Sequence, residues 1–210
     1  MVRDSPIEGY TIVPMEWTGK PHPDKPEVTF KGTIQEVMTQ ILDVNPEFVV
    51  SLGQNDSSLS ARDIEERNKS GVICNIPGDK GGQCSTVTIM QGIDYLKGLS
   101  GSCGVGAGPR VCARISCSYN AAIWLCNDNA WYIQPSCSYL GTYAEDIVST
   151  CAHVDFNSGT EGRGNQWDDR VNGQEFDTDN YNVQQAHAVF EEASGERVNL
   201  TEANEWRFST

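Results

Sequence analysis

Residues 108–131, G-P-R-V-C-A-R-I-S-C-S-Y-N-A-A-I-W-L-C-N-D-N-A-W, decide how this chain is read. Val111, Ala113, Ile115 and Cys117 alternate with Cys112, Arg114 and Ser116, which is the two-residue period of a half-buried strand. A second strand-like run, 121–126, follows at once. Between the two, Ser118, Tyr119 and Asn120 are turn formers, because short polar side chains bond back to the backbone and Asn tolerates positive φ. The expected unit is a β-hairpin with Cys117 near its turn and Cys112 and Cys126 further out.

Working outward, the cysteines define the compartment. All eight (Cys74, Cys84, Cys103, Cys112, Cys117, Cys126, Cys137 and Cys151) fall within 74–151, with no C-x-x-C pair and no histidine at ligand spacing. Four disulfides in an oxidising compartment are therefore expected, with no metal and no cofactor, and 74–151 becomes the crosslinked unit. The pairing stays open, since four bridges allow 105 connectivities. Residues 1–8 offer no apolar core of a signal peptide, so the expectation is a secreted protein whose signal peptide is absent from this sequence. Asn55-Asp-Ser, Asn68-Lys-Ser and Asn199-Leu-Thr match the N-glycosylation pattern of secreted chains.

Charge narrows the partners. Asp and Glu outnumber Lys and Arg by 29 to 15, a formal charge of −14, which argues against nucleic acid as an electrostatic ligand. No run reaches transmembrane length, so no membrane insertion is expected. The acidity serves solubility or a basic partner, and oligomeric state is not readable.

Along the chain, 1–27 reads as an extended lead-in, with a possible edge strand over 10–17, because Pro14, Pro21, Pro23 and Pro26 oppose a helix. Thr33 with Glu36 has capping-box form, and Ile34, Val37, Met38, Ile41 and Leu42 recur at helical spacing until Pro46 stops them. Phe48-Val49-Val50 resembles a strand piece, and 62–69 is a solvated charged run. A second helix is expected over 85–99 and a third over 138–151, the latter placing Tyr139, Leu140, Tyr143, Ile147, Val148 and Cys151 on one face. Between them, Gly104-x-Gly106-x-Gly108 lacks the strand-then-helix context of a nucleotide loop. Residues 155–170 read as a polar loop, 171–176 and 181–183 as strands joined by a turn at 177–180, and 186–210 as an acidic tail or helix. A single domain over 28–185 follows.

The segments Gln91-Gly-Ile-Asp-Tyr-Leu96, Arg114-Ile-Ser-Cys-Ser-Tyr-Asn120, Ala122-Ile-Trp-Leu-Cys-Asn-Asp-Asn129, Ala144-x-x-Ile147-x-x-x-Cys151 and Val171-Asn-Gly-Gln-x-Phe176, with Ile12 to Trp17 and Gly32 to Gln40, resemble a family of small secreted cysteine-rich fungal proteins counted as candidate effectors. The layout is also similar to killer-toxin-like and necrosis-inducing-factor-like proteins. That resemblance implies an α+β fold, an antiparallel sheet with helices packed on one face (an α/β sandwich). Cys103 and Cys137 stand outside the family pattern and would suit a bridge to each other.

Chemistry is sparse. His153 near Asp155, with Glu145 and Asp146 earlier on the third helix, has the makings of a general base, or is a histidine at a helix C-terminus suited to the helix dipole. Asp155, Glu161, Asp168 and Asp169 could collect calcium, or be acids of a solvated loop. The binding candidates are Tyr119, Asn120, Asn127, Asp128, Asn129, Trp131 and Tyr132, since aromatic rings beside amides suit sugars and proteins alike. Turn chemistry offers the asparagines a purely structural role. The resulting expectation is a secreted, non-enzymatic effector-like or toxin-like protein that binds an extracellular protein or glycan. A small polysaccharide hydrolase or lyase and a structural cell-wall protein are the alternatives.

Overall fold

The computed structural model describes residues 9–48, 68–76, 82–157 and 166–187, and all eight cysteines lie within them. Its N-terminal part holds β1 (Thr11–Val13), β2 (Glu16–Gly19), β3 (Val28–Lys31) and α1 (Ile34–Val44). The middle runs β4 (Lys69–Cys74), β5 (Cys84–Ser85), α2 (Thr86–Gly98), β6 (Ser102–Gly104), β7 (Val111–Ser118) and β8 (Ala121–Asn127). The rest is α3 (Cys137–Cys151), β9 (His153–Asn157), β10 (Gln166–Val171), β11 (Gly173–Asp177) and β12 (Tyr181–His187). The architecture is mixed α+β, with three helices among the described residues.

The hairpin is β7–β8. Tyr119 and Asn120 both adopt positive φ (45° and 62°), the turn geometry whose twist matches that of the flanking strands. Cys112 and Cys126 are register partners and are bridged, with Cα atoms 4.0 Å apart. A register shift between Arg114 and Ser116 makes Ile115 a bulge that keeps its side chain in the core.

This hairpin sits inside a six-stranded sheet of order β1-β7-β8-β12-β11-β4. The pairs are antiparallel except β1–β7, which is parallel, so the sheet is mixed rather than wholly antiparallel. Two small sheets, β5-β10-β9 and β3-β2-β6, flank it. Alternate residues divide the large sheet into two faces. Ala113, Ile123, Leu125 and Val183 join Ile34, Val37 and Ile41 of α1, Ile89, Ile93 and Leu96 of α2, and Leu140, Tyr143, Ala144 and Ile147 of α3 in one core. Cys112, Ala122, Trp124 and Cys126 form a second cluster on the opposite face, packed with Tyr10, Ile12 and Cys117.

The helices begin where capping chemistry allows. Thr33 and Glu36 make the reciprocal capping box, satisfying N–H groups that the first turn leaves without partners. Ser136 accepts from the Tyr139 amide to start α3.

Three disulfides form rather than four: Cys74–Cys151, Cys103–Cys137 and Cys112–Cys126. Cys84 and Cys117 carry thiols instead. Cys84 packs in the helix-side core, where its thiol donates to the Val171 carbonyl at 3.3 Å, whereas Cys117 packs against the cluster on the other face of the sheet. A bridge requires Cα atoms within about 7 Å with converging side chains, which the intervening sheet prevents.

Other expectations change with pairing. The two described ends of the run 155–170 are strand rather than loop, because β9 and β10 pair antiparallel with Asp155 opposite Asp168, while 158–165 lie outside the described residues. The run 171–176 is split: Val171 ends β10 in one sheet and Gly173 begins β11 in another. Asn172 is the joint, accepting from the Ile76 amide and donating to the Gly82 carbonyl. The run 10–17 holds β1 and the start of β2, separated at Pro14 and Met15. Val49, Val50, Glu161, Asn55, Asn199 and residues 188–210 lie outside the described residues. Among the described residues, no helix is long and apolar enough to cross a membrane.

Candidate functional site

Between β8 and α3 the chain W-Y-I-Q-P-S, residues 131–136, has no regular structure of its own and is fastened from several sides. Ile133 exchanges backbone hydrogen bonds with Val105, and the Cys103 amide donates to the Pro135 carbonyl. The Cys103–Cys137 bridge closes the same junction, with Cα atoms 5.0 Å apart. This segment forms one wall of a surface groove of about 680 Å³. The opposing wall is Asn68 and the 178–180 turn between β11 and β12, fastened by the Thr178 amide donating to the Asn68 carbonyl. Tyr139 and Tyr181, both buried, contribute to the lining as well.

The seven binding candidates part company here. Tyr119, 73% exposed, and Asn120 sit at the hairpin turn, while Asn127 to Tyr132 follow the other end of β8. Seven strand residues separate the two ends by roughly 20 Å. Asn127 is buried and structural: its amide donates to the carbonyls of Gly106 and Trp131, and its oxygen accepts from the Asn129 backbone and side chain. Asn129 donates to the carbonyls of Asp179 and Asn180, which ties the two walls together. Asp128 accepts from the Tyr10 hydroxyl and the Arg110 amide. Trp131 and Tyr132 line the groove, 64% and 40% exposed, and the buried Asn129 lines it as well.

The glycine series finds its reason at this place. A Cβ on Gly104 would lie 1.9 Å from the Tyr132 hydroxyl, and one on Gly108 would lie 2.3 Å from the Asn127 carbonyl oxygen. Both positions exist to let neighbours approach the backbone. Burial, with the negative charge of Glu16 nearby, raises the Tyr132 pKa, so its hydroxyl stays a neutral hydrogen-bonding group.

Behind the groove lies a buried polar cluster that residue patterns left unread. Tyr143 donates to Asp177, whose other oxygen accepts from the Asp179 amide at 2.7 Å. The Tyr139 and Tyr143 hydroxyls meet at 2.6 Å, and Tyr139 also donates to Asp177 at 3.4 Å. Burial, helped by the Asp177 carboxylate, drives the Tyr143 and Tyr181 pKa values far above the usual phenol range. Lys69 pairs with Asp146 and stands 4.7 Å from the centre of the Tyr143 ring. Glu175 is 4% exposed, and burial, reinforced by Asp146 and Asp177 and opposed by Lys69, pushes its carboxyl up to about 7. The alternation of Glu175 and Asp177 along a five-residue strand was the one signal in the sequence that two carboxylates share a face.

The remaining candidates stand elsewhere. The His153 ring meets the Cys151 carbonyl through Nδ1 and the Gln83 amide through Nε2; a carbonyl only accepts, so Nδ1 carries a proton. Glu145 bonds Lys97 at 2.8 Å and Asp146 pairs with Lys69. No group of three or more His, Cys, Asp or Glu able to hold a metal occurs among the described residues.

No protein-family model, curated protein or solved structure matches the chain.

Proposed function

We propose that this is a secreted, non-enzymatic protein of the effector-like or toxin-like kind, with a killer-toxin-like sandwich, which binds an uncharged extracellular glycan in the groove beside Trp131. The observation that carries the reading is Trp131 itself: a large ring 64% exposed on a segment held by backbone bonds and a disulfide. An exposed indole on a fixed segment is a flat apolar platform whose ordering cost has already been met in folding. Amides of Gln134 and Asn180 line the same groove as donors and acceptors for sugar hydroxyls.

Charge and size support the same ligand. Among the described residues of the lining Asp179 is the only carboxylate and there is no lysine or arginine, which disfavours sulfated or uronic sugars. The volume falls within the usual range for small-ligand sites, about 300–1,000 Å³. A glycosidase would need two carboxyl groups flanking the bond, and the described residues of the groove supply one. The three bridges are compatible with an oxidising compartment.

The test is retention of the disulfide-intact protein on insoluble chitin and β-glucan, beside the Trp131→Ala variant. Retention of the parent and loss in the variant is the expected result. Binding only to extracellular material that protease treatment destroys would replace the glycan with a protein partner, and equal retention of both proteins would remove Trp131 from the site.

A further inference from the structure

Glu175 and Asp177 lie two residues apart on β11 and therefore face the same side of the sheet, toward α3. Both are buried. From β4, Lys69 is the register partner of Asp177; from α3 come Asp146, Tyr139 and Tyr143; from β12 comes Tyr181. One lysine thus stands against three carboxylates, and its ammonium is committed to Asp146. Asp177 is well served, since it accepts from Tyr143, Tyr139 and the Asp179 amide. Glu175 is not: its Oε2 is buried with no hydrogen-bond partner among the described residues. A carboxylate in that position would lack the donors that make a buried charge tolerable, whereas a neutral carboxylic acid is far less costly.

Asp177 also connects this cluster to the groove. Its Oδ1 holds the Asp179 amide, and so the turn that forms one wall, while its Oδ2 accepts from the hydroxyl of Tyr139, which belongs to the lining. Glu175 itself is no part of the groove lining, so it is not a catalytic acid and acts only through Asp177.

We propose that Glu175 makes the groove pH-responsive: while protonated it leaves Asp177 free to hold the 178–180 wall and the tyrosines, and on ionising it sets a second negative charge beside Asp177 and loosens both. This rests on the reading of the groove as the binding site and adds its regulation, with the groove firm in acidic medium and looser in alkaline medium. Burial, which raises the Glu175 pKa toward neutrality, sets the change within the extracellular pH range.

The experiment needs no sugar. Amide hydrogen exchange of Asp179, corrected for intrinsic rates, is compared at about pH 5.5 and about pH 8.5 in the parent and in Glu175→Gln. The parent should lose protection about tenfold at the higher pH, the scale of one added charge at short range, and the variant should not. A second measurement is the carbon-13 shift of the Glu175 carboxyl in the parent, which should titrate near neutrality and covers the case in which the variant fails to fold. A Glu175 midpoint in the ordinary carboxyl range, or an Asp179 pH response that persists in Glu175→Gln, would overturn the proposal. Failure of the protein to bind glucan or chitin would count against the binding reading and leave these two results standing.

Discussion

Tyr143 of α3 donates its hydroxyl hydrogen to Asp177 at the end of β11. The pair joins a helix to the sheet across the core, and it fixes the carboxylate that in turn fixes the Asp179 amide in the groove wall. A buried carboxylate is stable there because it has donors on both oxygens.

Replacing Tyr143 with Phe keeps the ring and removes one donor. The expected loss is about 1.5–3 kcal/mol, the usual value for a hydrogen bond to a charged group, read from the urea midpoint at constant slope. An unchanged midpoint would mean that Tyr139 and the Asp179 amide already satisfy Asp177 between them.

The Cys103–Cys137 bridge closes a 34-residue separation and anchors the Trp131 segment to β6. Replacing both residues with Ala should cost about 3–4 kcal/mol by loop-closure entropy. The same double variant should lose retention on chitin or glucan at temperatures where it is still folded by circular dichroism. Folded but fully binding-competent protein would show that the backbone bonds of Ile133 and Pro135 suffice.

Trp131→Ala separates binding from folding. With the ring 64% exposed, its stability change should stay within about 0.5 kcal/mol. A larger drop in the thermal midpoint would place Trp131 in the packing rather than in the site.

Stability should depend on pH through Glu175. The unfolded chain releases this proton near 4.5, and the folded chain holds it to about 7. Between those values the native state binds more protons than the unfolded one, so stability falls as pH rises through the window and levels off above it. The Glu175 contribution lost is of order 1–3 kcal/mol. Glu175→Gln should flatten the profile between pH 5 and 8, and a parent profile that is already flat there would place the Glu175 proton elsewhere.

The local elements were legible because each is written in neighbouring residues. The three helices announce themselves by apolar residues every three or four positions and by the Thr33 cap, and the hairpin by two-residue alternation around Tyr119-Asn120. The bridge between Cys103 and Cys137 came with the family resemblance, and the structure contains it. A bridge for Cys84 and Cys117 did not survive, because bridging depends on which face of a sheet each residue occupies, and no cysteine count carries that.

The site was legible only in part. Trp131, Tyr132 and Asn129, picked out as aromatics beside amides, line the groove, whereas Asn127 and Asp128 fasten loops and Tyr119 and Asn120 belong to the far end of the hairpin. What residue order determined by itself is periodicity, capping and turn chemistry, all set by contacts a few positions apart. The pairing of β4 with β11 and the placement of α3 across the sheet decided the rest, because the groove draws its walls from residues 68, 129, 131–136, 139 and 178–181, and the cluster behind it joins Lys69, Asp146 and Glu175 from three elements. Segments that distant meet only when the whole core packs.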